Sequence, residues 1–293
     1  MEKLNINLGK KLTIFTKRIV TTKLVGNYKS KIKGRGLEFS NFREYSMNDD
    51  SSLIDWKTSI RVNQPVVKEF VEERNLEVFF LIDVSSTMVF GSTEKLKNEY
   101  SSELISTLAY AILHVGDSLG YAFFSDKLFN LNLPAHSKNR FYILSRDLSN
   151  PENYGGTFDL ELALKKVTEI LRKNSVLIIV SDFIGLKGNW RDIIKKAAYK
   201  FDTIGIMVRD PRDREIPADS SMVVLSDPYT NQELILDPTE SIIERYKRYV
   251  EIQEKEIESA FSKARASFLK LTTDQPFLVP LVNFFKKRQR WSK

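Results

Sequence analysis

The sequence has no cysteine and only two histidines, His114 and His136. Disulfides, thiolate zinc sites and a cysteine nucleophile are excluded, and histidine triads or two-histidine metal sites are poorly supplied. Any metal bound here is therefore a hard ion, held by carboxylates, hydroxyls and water. Long apolar runs are lacking too. Stretches such as Val176–Val180 fall far short of the roughly 20 residues that span a bilayer. The start, Met1-Glu2-Lys3-Leu4-Asn5, lacks the basic and then apolar layout of a signal peptide. These absences predict a cytoplasmic protein with no transmembrane segment. Acidic residues are missing from one region: Lys10–Arg35 holds nine Lys or Arg and no Asp or Glu. Lys286, Lys287, Arg288, Arg290 and Lys293 crowd the other end, within a net charge of +7. Such patches attract nucleic acid, anionic lipid or acidic proteins. No nucleic-acid-binding motif accompanies them, which favours a solvated basic surface over a specific nucleic-acid site. The phosphate-cradling loop G-x-x-x-x-G-K-[ST] is also absent, so nothing in the chain points to ATP hydrolysis.

What is present is an ordinary globular composition, 42% apolar over 293 residues, enough for one large core with an appendage or for two modest domains. The pattern changes near residue 76. Before it lies an irregular stretch with short extended pieces, Leu12–Val20 and Pro65–Phe70, punctuated by Gly34, Gly36, Asn48-Asp49-Asp50 and Pro65. After it, apolar runs that suit strands buried on both faces (Glu77–Ile82, Leu119–Phe124, Ser175–Ser181, Thr203–Val208) alternate with helical periodicity over Glu94–Val115, Leu160–Leu171 and Trp190–Tyr199. Leu128–Leu133 suits a further strand beside Leu119–Phe124. Met222–Leu225 and Glu233–Leu236 flank the turn Asp227-Pro228-Tyr229-Thr230-Asn231 as a hairpin. A long amphipathic helix follows from about Thr239 to Ala266, with Asp237 and Thr239 both suited to cap it. The expectation is an α/β protein with a doubly wound, mostly parallel sheet. Residues 1–76 form a small β-rich or irregular N-terminal extension, 77–240 the main domain, and 241–293 a C-terminal helical segment.

In such a sheet ligands bind beyond the carboxyl ends of the strands. Three polar clusters fall there. The first strand runs into Asp83-Val84-Ser85-Ser86-Thr87, Tyr154-Gly155-Gly156-Thr157 precedes a helix, and Ser175–Val180 ends in Ser181-Asp182. Each alone is commonplace, as a helix cap or a loop. Together they supply two carboxylates and three hydroxyls, a hard oxygen set suited to Mg²⁺.

The order Asp83-x-Ser85-x-Thr87, Thr157, Asp182 resembles the metal-ion-dependent adhesion site of von Willebrand factor A domains, with Thr87 where serine is usual. The resemblance implies Mg²⁺ or Mn²⁺ close to Asp83, Ser85, Thr87 and Thr157, with Asp182 acting through water. A narrower resemblance covers Gly34–Met88: Gly34-Arg35-Gly36-Leu37-Glu38-Phe39, Arg43-Glu44-Tyr45, Asp49-Asp50, Ile54-Asp55-Trp56-Lys57, Arg61, Val67-Lys68-Glu69-Phe70 and Glu72-Glu73-Arg74. This is similar to the "domain of unknown function 58" family, and the coarse order extends to about residue 240. Asn48, Ser52 and Ile60 depart from that family's usual glycine, arginine and alanine.

Members of that family are often encoded beside MoxR-type AAA+ ATPases. The resemblance implies a non-enzymatic, chaperone-like interaction module that works with such an ATPase on a client protein supplying an acidic ligand. Two other readings are weighed against it. Asp83-Val84-Ser85-Ser86-Thr87 differs only at Ser85 from the D-x-D-x-T of haloacid dehalogenase-like phosphatases, in which Asp83 would be the nucleophile. The basic stretch Lys10–Arg35 suits a nucleic-acid or membrane-surface binder. Two local questions stay open. Asp49, Asp50, Asp55, Arg43 and Arg61 could form an ion-pair network with Trp56 as an apolar anchor, or the same residues could form a binding surface. The tail from Phe284-Phe285 to Trp291 could dock on the domain or serve as a partner-binding peptide.

Overall fold

The computed structural model describes residues 37–46, 49–72, 76–217, 222–230 and 232–291. Leu12–Val20, the basic stretch Lys10–Arg35, the turn glycines Gly34 and Gly36, Asn48, Asn231 and Lys293 lie outside the described residues. The chain divides into two compact units, one ending at Leu76 and the other beginning at Glu77.

In the first unit β1 (Leu37–Glu44) pairs antiparallel with β2 (Val66–Glu72), with Arg43 opposite Val67. Between them stands a short helix, α1 (Trp56–Val62). Asp55 caps its start by accepting the Thr58 N–H at 2.9 Å, and Asn63 ends it at φ 57°, a left-handed conformation that asparagine tolerates. Asp50 does the same for the tight turn Ser51–Leu53. The expected acids thus divide their work. Asp49 accepts two hydrogen bonds of 2.6 Å from Arg43, which hold its carboxyl down to about 2, whereas Asp50 and Asp55 cap backbone. Trp56 is 66% exposed and Ile60 80%. Trp56 is therefore no buried anchor, and α1 turns apolar side chains to solvent.

The second unit is built on a six-stranded sheet. Its elements in chain order are β3 (Glu77–Asp83), α2 (Lys97–Val115), β4 (Ser118–Phe124), β5 (Leu128–Ala135), α3 (Lys138–Leu148) and α4 (Leu160–Ile170). Then come β6 (Val176–Ser181), α5 (Trp190–Lys200), β7 (Asp202–Arg209), the hairpin β8 (Val223–Ser226) and β9 (Glu233–Leu236), α6 (Glu240–Lys263), β10 (Ser267–Thr272) and α7 (Leu278–Trp291). The sheet order is β10-β7-β6-β3-β4-β5, parallel throughout except for β5, which runs antiparallel to β4. Side chains alternate across β3. Phe79 and Leu81 join a core with α4, α5 and α6 through Leu164, Ile194 and Phe261. Phe80 and Ile82 are buried on the opposite face, as are Leu104, Ile105 and Leu108 of α2. Full burial of each such side chain stabilises by about 1.5–3 kcal/mol. The architecture is the doubly wound α/β sheet that the apolar runs predict.

Two elements of the second unit differ from the sequence reading. The helix α3 is unanticipated, because its four buried positions (Phe141, Leu144, Ser145 and Leu148) are interspersed with Lys, Asn and Arg. β10 lies inside the stretch read as helical, yet pairs with β7 from Ser267 opposite Ile204 to Thr272 opposite Arg209. As an edge strand with mostly half-buried residues, it lacks the continuous apolar run that marked its neighbours. Its docking needs Gly205, where a Cβ would stand 2.6 Å from the Phe261 ring. The tail does dock: Leu281 is fully buried, and Arg288 pairs with Asp202 at the start of β7.

β3 is the pivot of this topology. From it the chain runs to β4 on one side and later returns to β6 on the other. The carboxyl ends of β3 and β6 therefore flank the switch point, where connecting loops diverge and leave a crevice.

Candidate functional site

Asp83 closes β3 at that crevice and is 1% exposed. Its Oδ1 accepts the Ser85 N–H at 2.9 Å, and its Oδ2 accepts the Ser181 hydroxyl at 2.6 Å. The buried Ser85 Oγ lies 3.1 Å from Thr87 Oγ1. Burial first, and the charge of Asp182 second, push Asp83 up to about 7, against the opposite pull of hydrogen bonds from Ser181 and Ser85. A carboxylate buried beside another is costly as an anion, and a proton or a cation relieves that cost.

Asp182 follows β6 and is fully buried. Its Oδ1 accepts the Ile184 N–H at 2.8 Å, while its Oδ2 lies 2.7 Å from Lys97 Nζ. Lys97, 1% exposed, reaches Asp213 at 2.8 Å as well. Burial alone would lower the lysine's pKa, but the two carboxylates more than offset it and hold the ammonium above its ordinary value. The turn that carries Asp182 is unusual. Phe183 sits at φ 54°, a conformation rare for bulky side chains. Its ring is packed against Phe261 and Phe268, and its N–H donates to Ser181 Oγ at 2.8 Å.

The glycine loop meets the same segment. Gly155 N–H donates to the Val84 carbonyl at 2.8 Å, and the Gly156 carbonyl accepts from Ser86 N–H at 3.0 Å. Gly156 has φ +83°, and a Cβ on it would stand 2.9 Å from Asp126 Oδ1, so only glycine fits without displacement. Thr157 follows immediately and is exposed. Asp83, Ser85, Thr87 and Asp182 are thus brought together, and Thr157 lies on the loop beside them. Among the described residues, no hydrogen bond of the Thr157 side chain ties it to the other four.

Two participants escaped the sequence reading. Lys97 has the look of an ordinary basic residue in a helix's first turn, and its partner Asp182 is 85 residues away. Tyr229, in the turn between β8 and β9, brings its hydroxyl close to Thr87 and Ser85, and burial raises its pKa to about 12. The hint for Tyr229 was its place in a turn that already read as a hairpin. Among the described residues no cluster of three or more His, Asp or Glu is placed to hold a metal ion. The acids here number two, and the remaining donors are hydroxyls. That oxygen set fits a small hard cation.

Residues 41–256 match the family described as "Protein of unknown function DUF58". The chain belongs to this family. An uncharacterized protein of Mycobacterium tuberculosis is 26% identical over 272 residues, covering 91% of this DUF58 chain and 84% of the relative. Among solved structures, the conserved hypothetical protein BatB from Bacteroides thetaiotaomicron superposes with a TM-score of 0.51 at 14% identity, over 74% of this chain and 100% of that one. An aerotolerance-related membrane protein from Bacteroides fragilis gives 0.48 at 13% identity, over 73% and 100%. The fold of this DUF58 chain, a doubly wound and mostly parallel α/β sheet, is shared with the BatB structure.

The comparisons correct one expectation. The cytoplasmic placement does not stand, because solved structures matching this chain include proteins named as membrane proteins. No helix among the described residues is long and apolar enough to cross a membrane. Run length bears only on spanning helices, however, and a domain without one can still be held at a bilayer by other means.

Proposed function

We propose that this DUF58 protein is a metal-dependent protein–protein interaction module rather than an enzyme. The observation that carries the reading is Asp83, buried at the switch point beside Asp182 with the Ser85 and Thr87 hydroxyls next to it. In this reading Asp83, Ser85 and Thr87 hold Mg²⁺ or Mn²⁺, and Thr157 and Asp182 contribute directly or through water. Once bound, the ion supplies a Lewis-acidic point that an acidic oxygen of a client protein can complete. The exposed Trp56 and Ile60 on α1 support a partner-binding role, since exposed large apolar groups mark interaction surfaces. The resemblance to a family often encoded beside MoxR-type AAA+ ATPases makes such an ATPase the partner to test, with this chain as its adaptor in remodelling a client.

Calorimetry tests the metal. Wild type should bind Mg²⁺ or Mn²⁺, Asp83→Ala should bind none, and Asp182→Ala should bind more weakly. Absence of divalent binding even with an acidic peptide present defeats the reading. A phosphatase mechanism through Asp83 would need a second acid at position 85, where Ser85 instead faces Thr87. Robust turnover abolished by Asp83→Asn would reinstate it.

A further inference from the structure

The hydroxyl of Tyr229 is buried and no well-formed hydrogen bond holds it, although the Thr87 and Ser85 hydroxyls stand within reach. That is an odd place for a phenol, because buried hydroxyls nearly always find a partner. It lies near Ser85 and Thr87, close enough for their hydroxyls and for the charges of Asp182 and Asp83 to bear on its acidity. On the other side it faces Gly185, where a Cβ would stand 3.4 Å from the hydroxyl and 3.7 Å from Cε2 of the ring. The ring thus enters between the loop after β3 and the turn after β6, the two segments that carry the site.

The element that delivers Tyr229 is lightly held. The Asp227 carboxylate accepts the Tyr229 N–H at 2.8 Å and the Thr230 N–H at 3.3 Å, which shapes the turn. Among the described residues, the strands behind it pair with each other and neither packs extensively on another strand or helix. Val224, Leu234 and Ile235 are all more than half exposed. Lifting the turn would therefore break few contacts.

We propose that Tyr229 is a plug supplied by the chain itself, standing where an acidic oxygen of a client must enter the Asp83–Ser85–Thr87 site. This rests on the metal-dependent reading above and adds its regulation: the client displaces the phenol, and the β8–β9 hairpin moves with it. A neutral phenol is a weaker ligand for a hard cation than a carboxylate, so displacement by an acidic side chain runs in the favourable direction. An uncharged or basic client has no such advantage.

The test uses the full chain with Mn²⁺ and a short glutamate-containing peptide. Mn²⁺ affinity and peptide affinity are measured separately for wild type, Tyr229→Ala and Asp227→Ala. Tyr229→Ala should bind the peptide at least tenfold more tightly than wild type. Asp227→Ala, which loosens the turn without touching the plug, should shift affinity in the same direction by a smaller factor. Metal-free protein treated with tetranitromethane should be nitrated at the exposed Tyr199 well before Tyr229. Mn²⁺ binding with equal peptide affinity in all three proteins overturns the plug alone, as does nitration of Tyr229 as fast as Tyr199. No Mn²⁺ binding in wild type or in Tyr229→Ala overturns the metal reading, and the plug with it.

Discussion

Replacing Lys97 with methionine keeps the length of the side chain and removes its charge. In the native protein the ammonium sits 2.7 Å from Asp182 and 2.8 Å from Asp213, with all three groups largely out of water. At an effective dielectric constant of about 20, each contact is worth roughly 6 kcal/mol of Coulomb attraction. Most of that is spent on desolvating the ions, several kcal/mol apiece, so the net value of the pairs is small. Removal of one partner is another matter. It strands Asp182 beside Asp83 with no compensating charge, and breaking a buried pair in this way costs about 3–5 kcal/mol. For a chain of this size that lowers Tm by roughly 6–20 °C, at about 2–4 °C per kcal/mol. Chemical denaturation followed by circular dichroism, with EDTA present at pH 7.5, measures the change directly. The double variant Lys97→Met/Asp182→Asn should recover at least about 1.5 kcal/mol, because it removes the stranded charge. Divalent ions should stabilise Lys97→Met more than wild type, by supplying the missing cation. A single variant within about 0.5 kcal/mol of wild type, or a double variant no better than the single, would falsify the assignment of Lys97 as the charge partner of Asp182.

Asp210 offers a pH-dependent counterpart. Burial would raise its pKa, but hydrogen bonds from Ser92, Arg212 and Thr273 together hold it below the ordinary carboxylate value. A depressed acid contributes stability above its unfolded pKa of about 4, and that contribution is lost as pH falls through the folded value. Asp210→Asn should thus be destabilised relative to wild type at pH 6, with the gap narrowing in melts below about pH 4. At the other end of the chain, Trp56→Ala on α1 should change stability by less than about 0.5 kcal/mol, given its exposure. It should nonetheless reduce capture of the partner in pull-downs; a large drop in Tm with capture unchanged would return Trp56 to a purely structural role.

The sequence carried the sheet because β3, β4, β6 and β7 are buried on both faces, and such strands announce themselves as unbroken apolar runs. β10 and α3, at the periphery, have mixed composition that composition alone does not separate from loop or helix. The site divides along the same line. Asp83, Ser85 and Thr87 are contiguous, and their grouping follows from one strand end. Asp182 could be placed because it ends a recognisable strand. Lys97 and Tyr229 belong to the site only through long-range packing, and no spacing rule links them to it. Likewise, Asp50 and Asp55 stand just before a turn and a helix, and both cap backbone there.

The position of β10 also bears on how the protein reaches its native state. β7 is a buried strand, but its outer edge is covered only when β10 pairs alongside it, after α6 has been laid down. Until then a nearly all-buried strand presents unpaired backbone groups to its surroundings, the condition that invites intermolecular strand pairing. Phe261 and Phe268 must arrive together over Gly205 to close that edge. Capping of the sheet from its C-terminal side is a non-local step, since it pairs Ser267 with Ile204, and a chain interrupted between α6 and β10 should be more prone to aggregate than one interrupted after it.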